Sequence, residues 1–187
     1  MYNQNTTNTK EDSFKRLELV NFWISNIDNK ISFILAFVGV FIGFVISKGT
    51  PDIFKGISNI AIKDIIALNF GQVISIFMLV AMYLSAISCI ILLLLALIGR
   101  IDSKAYKEHK LKTNSLLFFG SIANMNYPSY TEKCEKESKG QLINDINSQI
   151  YINSKICDYK FKLYNYSIKL LTISFIIFCI CELFNII

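Results

Sequence analysis

Residues 72–99 form an uninterrupted run of 28 residues without one charged side chain. As a helix this run would be about 40 Å long at roughly 1.5 Å per residue, more than the ~30 Å hydrocarbon core of a bilayer. A backbone surrounded by lipid must pair its own N–H and C=O groups, and for a single run that means an α-helix. Two other stretches have the same character. Residues 31–47 carry no charge and are at the short end for a span, and residues 167–187 carry only Lys169 and Glu182. Apolar residues make up 53% of the chain and charged ones 18%, below the roughly one quarter usual in soluble domains. The expected fold is an all-α membrane protein with three transmembrane helices extended into a cytosolic helical bundle.

Breakers and periodicity divide the rest. Residues 1–10 are rich in Asn and Thr and are expected to be a disordered leader. Residues 11–30 contain no glycine or proline, and Leu17, Val20, Ile24, Ile27 and Ile31 recur at helical spacing. This predicts an amphipathic cytosolic helix that runs straight into the first span at residues 31–47. No small-residue cleavage site follows that span, so it is expected to stay as an anchor. Gly49, Pro51 and Gly56 make residues 48–71 an outer loop, with a short interfacial helix over residues 57–70. After the second span, residues 100–114 hold no breaker, and about four further helical turns are expected there. Gly120, Pro128 and Gly140 mark residues 115–140 as an irregular tip. Beyond Gly140 one helix of about 45 residues is free to reach the C-terminus. Residues 100–166 therefore read as a cytosolic helical hairpin between the second span and the third at residues 167–187.

Charge sets the expected orientation. Four Lys/Arg precede the first span, eleven lie in residues 100–166 and three in residues 48–71. The positive-inside rule puts the first two groups, with the N-terminus, in the cytosol and the C-terminus outside. Lys169 can snorkel to the inner interface. The net charge of +5 is thus a topology signal rather than a nucleic-acid one. Five cysteines lack paired C-x-x-C units and His109 is the only histidine, which argues against a zinc site. No nucleophile has a spaced base, and there is no phosphate loop. A catalytic role and a resident cofactor are not expected.

Three groups of residues are candidates for function. Gly39 and Gly43 form a small-x-x-x-small pair, in line with Ser32, Ala36 and Ser47, that allows close helix approach. Ala81, Ser85, Ser88, Ala96 and Gly99 form a similar face on the second span. The glycine face can pack on that helix or on another subunit, and the serines can line a pore or bond their own backbone. The second group is Gln149, Asn153 and Lys160, which fall among Leu142, Ile146, Ile156, Cys157 and Leu163 on one helical side. Buried amides need partners. They can pair across an oligomer seam, as a core Asn does in a coiled coil, or face a ligand pocket. The third group is Phe118, Phe119, Tyr127 and Tyr130 at the tip, near basic residues. Such rings can stack a nucleobase or simply cap a hairpin. Only two arginines exist, Arg16 and Arg100, placed either to anchor headgroups or to meet a phosphate. The candidate nucleotide-binding set is Gln149, Asn153, Lys160, Tyr130 and Arg100.

Three stretches, taken with the order of the spans, resemble the transmembrane effectors of bacterial Pycsar anti-phage systems. They are WISNIDNKISFILAFVGVFIGF, with Trp23, Asp28 and Lys30; LLFFGSIA, residues 116–123; and QIYINSKICDYKFKLY, with Gln149, Asn153, Lys155 and Lys160. The resemblance implies a multi-pass, homo-oligomeric protein of the bacterial cell (inner) membrane. It implies a response to cyclic CMP or cyclic UMP, made by a partner cytidylate or uridylate cyclase during infection. The activated effector would impair the membrane and cause abortive infection. The polar block does not resemble the β-roll cyclic-nucleotide domain, so a nucleotide bound by this chain must be held by helices. Two other readings stay open: a membrane anchor or scaffold for a soluble partner, and an effector of a defence system with a different messenger.

Overall fold

In a computed structural model, which describes residues 9–47, 70–98, 111–112 and 114–184, the order of elements is five helices. These are α1 (Lys10–Ser47), α2 (Phe70–Ile98), α3 (Phe119–Ala123), α4 (Tyr127–Lys136) and α5 (Lys139–Leu183). No strand occurs among the described residues. Three of the helices, α1, α2 and α5, are long and apolar enough to cross a membrane. Most of the surface in their apolar windows is exposed, as it must be where lipid is the solvent.

The helix starts follow from local chemistry. Thr9 caps α1, where the Asp12 N–H donates to Thr9 Oγ1 at 3.2 Å and the Thr9 N–H donates to Asp12 Oδ2 at 3.3 Å. The hydroxyl of Thr9 also donates to that carboxylate at 2.6 Å, which lowers the Asp12 pKa. Ser138 and Gln141 repeat the device at α5, with Gln141 N–H on Ser138 Oγ at 3.3 Å and Ser138 N–H on Gln141 Oε1 at 2.8 Å. Each reciprocal pair satisfies two amide donors that a bare helix end leaves open. Asn126 caps α4 through the Ser129 N–H at 2.9 Å, and Pro128 in the first turn sacrifices no helical hydrogen bond.

The chain forms two compact units, Met1–Asp28 with Gly99–Phe161, and Asn29–Ile98 with Lys162–Ile187. The second holds the spans. Its buried stripe on α2 is Leu79, Met82, Ala86, Cys89, Leu93 and Ala96, alternating steps of three and four residues. On α1 Ile31, Val38, Phe41 and Val45 are buried, and on α5 Ser167, Leu171, Ser174, Phe178 and Cys181. Phe41 meets Phe178 edge-on at 5.5 Å and Phe175 at 5.9 Å. The Ser174 hydroxyl donates to the Met82 carbonyl at 3.1 Å and ties α5 to α2.

Several sequence expectations are revised here. Gly39 and Gly43 do not lie against α2. Both are exposed, and a Cβ at either position would meet nothing within 4 Å. Dispersion between close-packed bulky groups decides helix contacts in lipid, and Phe41 with its two ring partners turns the glycines outward. On α2, Ala96 of the expected small face is buried, but Ala81, Ser85 and Ser88 are only half-buried. Ser85 Oγ donates to Met82 O on its own helix at 2.9 Å. Residues 115–140 are mostly helical, as α3 and α4; Asn126 caps α4, while α3 follows Phe118 without a side-chain cap. The predicted extension of the second helix does not reach Asn114, since residues 111–112 and 114–118 are irregular. The leader at residues 1–8, the loop at residues 48–69 with its interfacial helix, and Gly99, Arg100 and His109 lie outside the described residues.

Packing of the span unit predicts unequal tolerance. Gly43→Ala should leave thermal unfolding in detergent unchanged or slightly raised, since the site is open and alanine favours the helix. Cys89→Leu should cost about 1–3 kcal/mol by overpacking a fully buried position.

Candidate functional site

Within the first unit, α1 and α5 are joined by two polar pairs. The Asn153 Nδ2 group donates to Asn21 Oδ1 at 2.8 Å, and Lys160 Nζ donates to Asp28 Oδ1 at 2.5 Å. Each pair spans 132 residues, so the two helices run parallel in one register and the pairs stand one heptad apart. Lys160 is 5% exposed, while the Asp28 side chain keeps 35% of its surface. A one-residue slip of α1 would leave a buried ammonium without its carboxylate, at the full desolvation penalty. The register is held much as a core Asn holds a coiled coil.

Asn153 and Lys160 therefore find their partners inside one chain. The periodicity of α5 placed them on a shared stripe, and Gln149 is also buried there. Asn21 and Asp28 escaped the sequence reading as partners, although they share the seven-residue spacing of Asn153 and Lys160. That matched spacing was the available signal. Tyr130 sits half-buried on α4, with its phenol pKa raised chiefly by a hydrogen bond with Cys134. No described contact brings Tyr130 to Gln149, Asn153 or Lys160. Phe118 and Phe119 pack at 4.7 Å, but Phe119 and Tyr127 stay over three-quarters exposed and do not cap a hairpin core.

A second construction straps residues 111–118 along α5. Asp145 has no exposed surface, and its Oδ2 accepts from the Leu116 N–H at 2.8 Å with Lys112 Nζ 3.3 Å away. Lys112 Nζ also pairs with Glu137 at 2.7 Å, and the Lys112 N–H donates to Ser148 Oγ at 3.0 Å. Ser115 Oγ accepts from the N–H groups of Leu117 and Phe118. Side chains thus replace helical acceptors along this strap, which accounts for its irregular backbone. Burial opposes the charge on Lys112, but hydrogen bonds to Glu137 and Asp145 outweigh it and hold the ammonium above the ordinary lysine range. The contribution of this group is thus present through neutral pH and lost only as pH rises past its raised pKa.

The described residues of this unit line three grooves that bear on the site. One of about 430 Å³ is bordered by Lys112, Lys133 and Lys136 beside Glu132 and Glu137. Its charges are largely matched internally, through Lys112–Glu137 and Lys136–Glu132. A neighbour of about 460 Å³ shares Asn114 and Lys133 and has Phe118 as its aromatic. The third, about 330 Å³, lies along the α1/α5 seam and is lined by Val20, Trp23, Ser154, Cys157, Asp158 and Phe161. Burial first, and then Asp158, push the Cys157 thiol up, so it stays protonated and serves as an uncharged wall. Among the described residues no cluster of His, Cys, Asp or Glu is arranged to hold a metal ion.

Residues 12–185 match the family described as the Pycsar effector protein domain. The chain is 38% identical over 178 residues to the Pycsar effector protein GmPycTM of Gulbenkiania mobilis, covering 91% of this chain and 90% of that relative. No solved structure matches.

Two measurements check the site. In a double-mutant cycle on Lys160→Ala and Asp28→Ala, unfolding in detergent should give a coupling of roughly 0.5–3 kcal/mol. Asp145→Ala should cost about 3 kcal/mol by stranding the Leu116 N–H and Lys112, and Asp145→Asn should cost less because an acceptor remains.

Proposed function

The chain belongs to the Pycsar effector protein family, whose members are non-catalytic membrane effectors, and on that premise we propose that it defends bacteria against phage by answering a cyclic pyrimidine nucleotide. Cyclic CMP or cyclic UMP, made by a partner cytidylate or uridylate cyclase during infection, is the messenger. The unit built from Met1–Asp28 and Gly99–Phe161 is its receiver. The response is impairment of the cell (inner) membrane and abortive infection. The observation that carries this reading is that the family match covers residues 12–185, and so takes in the polar helices and all three apolar ones.

Orientation and assembly complete the proposal. The distribution of Lys and Arg puts the N-terminus and residues 100–166 in the cytosol, where a nucleotide is made, and the C-terminus outside. The exposed Gly39/Gly43 face, open to a close-approaching helix, supports contact with a second subunit in the bilayer. α1 and α5 each supply residues to both units without a helix break. Nucleotide that binds one packing of the polar helices better than another shifts the population toward it. Unbroken rods carry that change to the spans. Asn153 and Lys160 contribute by setting the register of those rods, since their partners are on α1.

Protein reconstituted in dye-loaded liposomes tests this. Addition of cyclic CMP or cyclic UMP should release dye, and cyclic purine nucleotides should not. Liposomes that stay tight with both pyrimidine nucleotides, alongside cells that keep their membrane potential when the cyclase is co-expressed, would overturn the reading.

A further inference from the structure

We propose that the α1/α5 seam groove holds the pyrimidine ring of the messenger, with Trp23 as its stacking wall and Arg16 as the partner of its phosphate. This rests on the nucleotide-sensing reading above and adds the site. Trp23 is the only tryptophan in the chain. It lies eight residues, roughly 12 Å of helix, before the first span begins at Ile31, and yet it is 46% exposed. Phe22 packs edge-on against it at 6.0 Å, which steadies the indole. The remaining lining has the composition of a base pocket. Phe161, Val20 and Cys157 are apolar, and two oxygen-bearing groups, Ser154 and Asp158, lie among them. A few polar groups among apolar walls orient a small ligand.

The chemistry fits a pyrimidine at each position. Uracil offers a ring N–H and cytosine an exocyclic amine, and a carboxylate such as Asp158 accepts from either. Ser154 Oγ spends its proton on Ile150 O at 2.7 Å, which leaves the oxygen to accept as well. Ser154, Cys157, Asp158 and Phe161 recur at steps of three and four and so share one face of α5. On α1, Arg16, Val20 and Trp23 follow the same rule. Arg16 is exposed one turn before Val20, on the same helical face but outside the groove's lining. A cyclic phosphate is a diester with one negative charge, and one guanidinium meets it with paired N–H donors. The two grooves near the α4 end match this less well. The one with three lysines has no aromatic lining, and two of its lysines are held by glutamates.

The site also bears on the seam itself. The groove is lined at the levels of the Asn21–Asn153 and Asp28–Lys160 pairs. A ligand wedged there acts on the interface whose register those pairs hold.

Trp23 emission is a direct probe because no other indole contributes. Detergent-solubilised protein is titrated with cyclic CMP, cyclic UMP and cyclic AMP, following fluorescence and, in parallel, heat by calorimetry. A cyclic pyrimidine should quench Trp23 saturably, at the midpoint seen by calorimetry. Trp23→Ala and Asp158→Asn should each weaken binding about tenfold or more, Trp23→Phe should retain most of it, and Arg16→Gln should weaken it and flatten its salt dependence. The wild-type quenching result stands whether or not a variant folds. Calorimetric binding with unchanged Trp23 emission and undiminished affinity of Trp23→Ala would overturn the site and leave the messenger reading intact. No heat with either pyrimidine nucleotide would overturn both. Quenching of Trp23 by brominated lipid in nanodiscs, unaffected by nucleotide, would make the indole a lipid anchor and overturn the site.

Discussion

Two polar pairs one heptad apart govern the packing of this protein outside its spans. A seam of Val, Ile and Leu alone would let two parallel helices slide, because apolar contact has no direction and neighbouring registers bury similar areas. Asn21–Asn153 and Asp28–Lys160 remove that freedom. Lys160 is too deeply buried for water to take the place of Asp28, whereas the Asn21–Asn153 bond is exposed and adds direction at little cost. The cost of a slip therefore falls on Lys160, whose buried ammonium would lose its carboxylate, while the gain of the pair over apolar side chains in the correct register is small. They serve specificity more than stability.

The strap is anchored on α5 and on Glu137. Asp145 and Ser148 are on α5 a little before Asn153, and they take the backbone donors of Leu116 and Lys112. Lys112 answers the charge of Asp145 and joins it to Glu137. A segment with irregular backbone is thus tied down by one buried carboxylate. Its second oxygen, Oδ1, has no hydrogen-bond partner among the described residues, so the strap carries a standing electrostatic cost. The low local dielectric that strengthens the Asp145–Lys112 contact also raises the cost of the oxygen left unpaired.

The span unit is held by other means. Lipid is as apolar as the side chains, so shape decides the contacts. Phe41, Phe175 and Phe178 interlock, and small residues such as Ala86, Cys89 and Ser174 admit close approach of backbones. The Ser174–Met82 bond adds direction. Gly39 and Gly43 stay open on the lipid side, which keeps them available to another helix of the same kind. Register outside the spans and shape inside them are independent devices, linked by helices that contribute to both.

Helix content, the three apolar spans and the long unbroken α1 and α5 were legible in the sequence, because charge-free length is a local property. Missing breakers alone did not suffice, since residues 111–112 and 114–118 are irregular where side chains of α5 take their backbone donors. The stripe of Gln149, Asn153 and Lys160 was legible too, since periodicity places side chains on a face. What they touch was not. Partner choice depends on which helix lies opposite and in which register, and Asn21 and Asp28 acquire meaning only after α1 is laid beside α5. The same limit hid Asp145 as the anchor of the strap, and it left the glycine face open to either the second span or another subunit, where the structure turns it outward. Sequence determined which faces are polar, apolar or small. Tertiary structure decided which faces meet, because that choice is made by complementary shape and charge across helices more than a hundred residues apart.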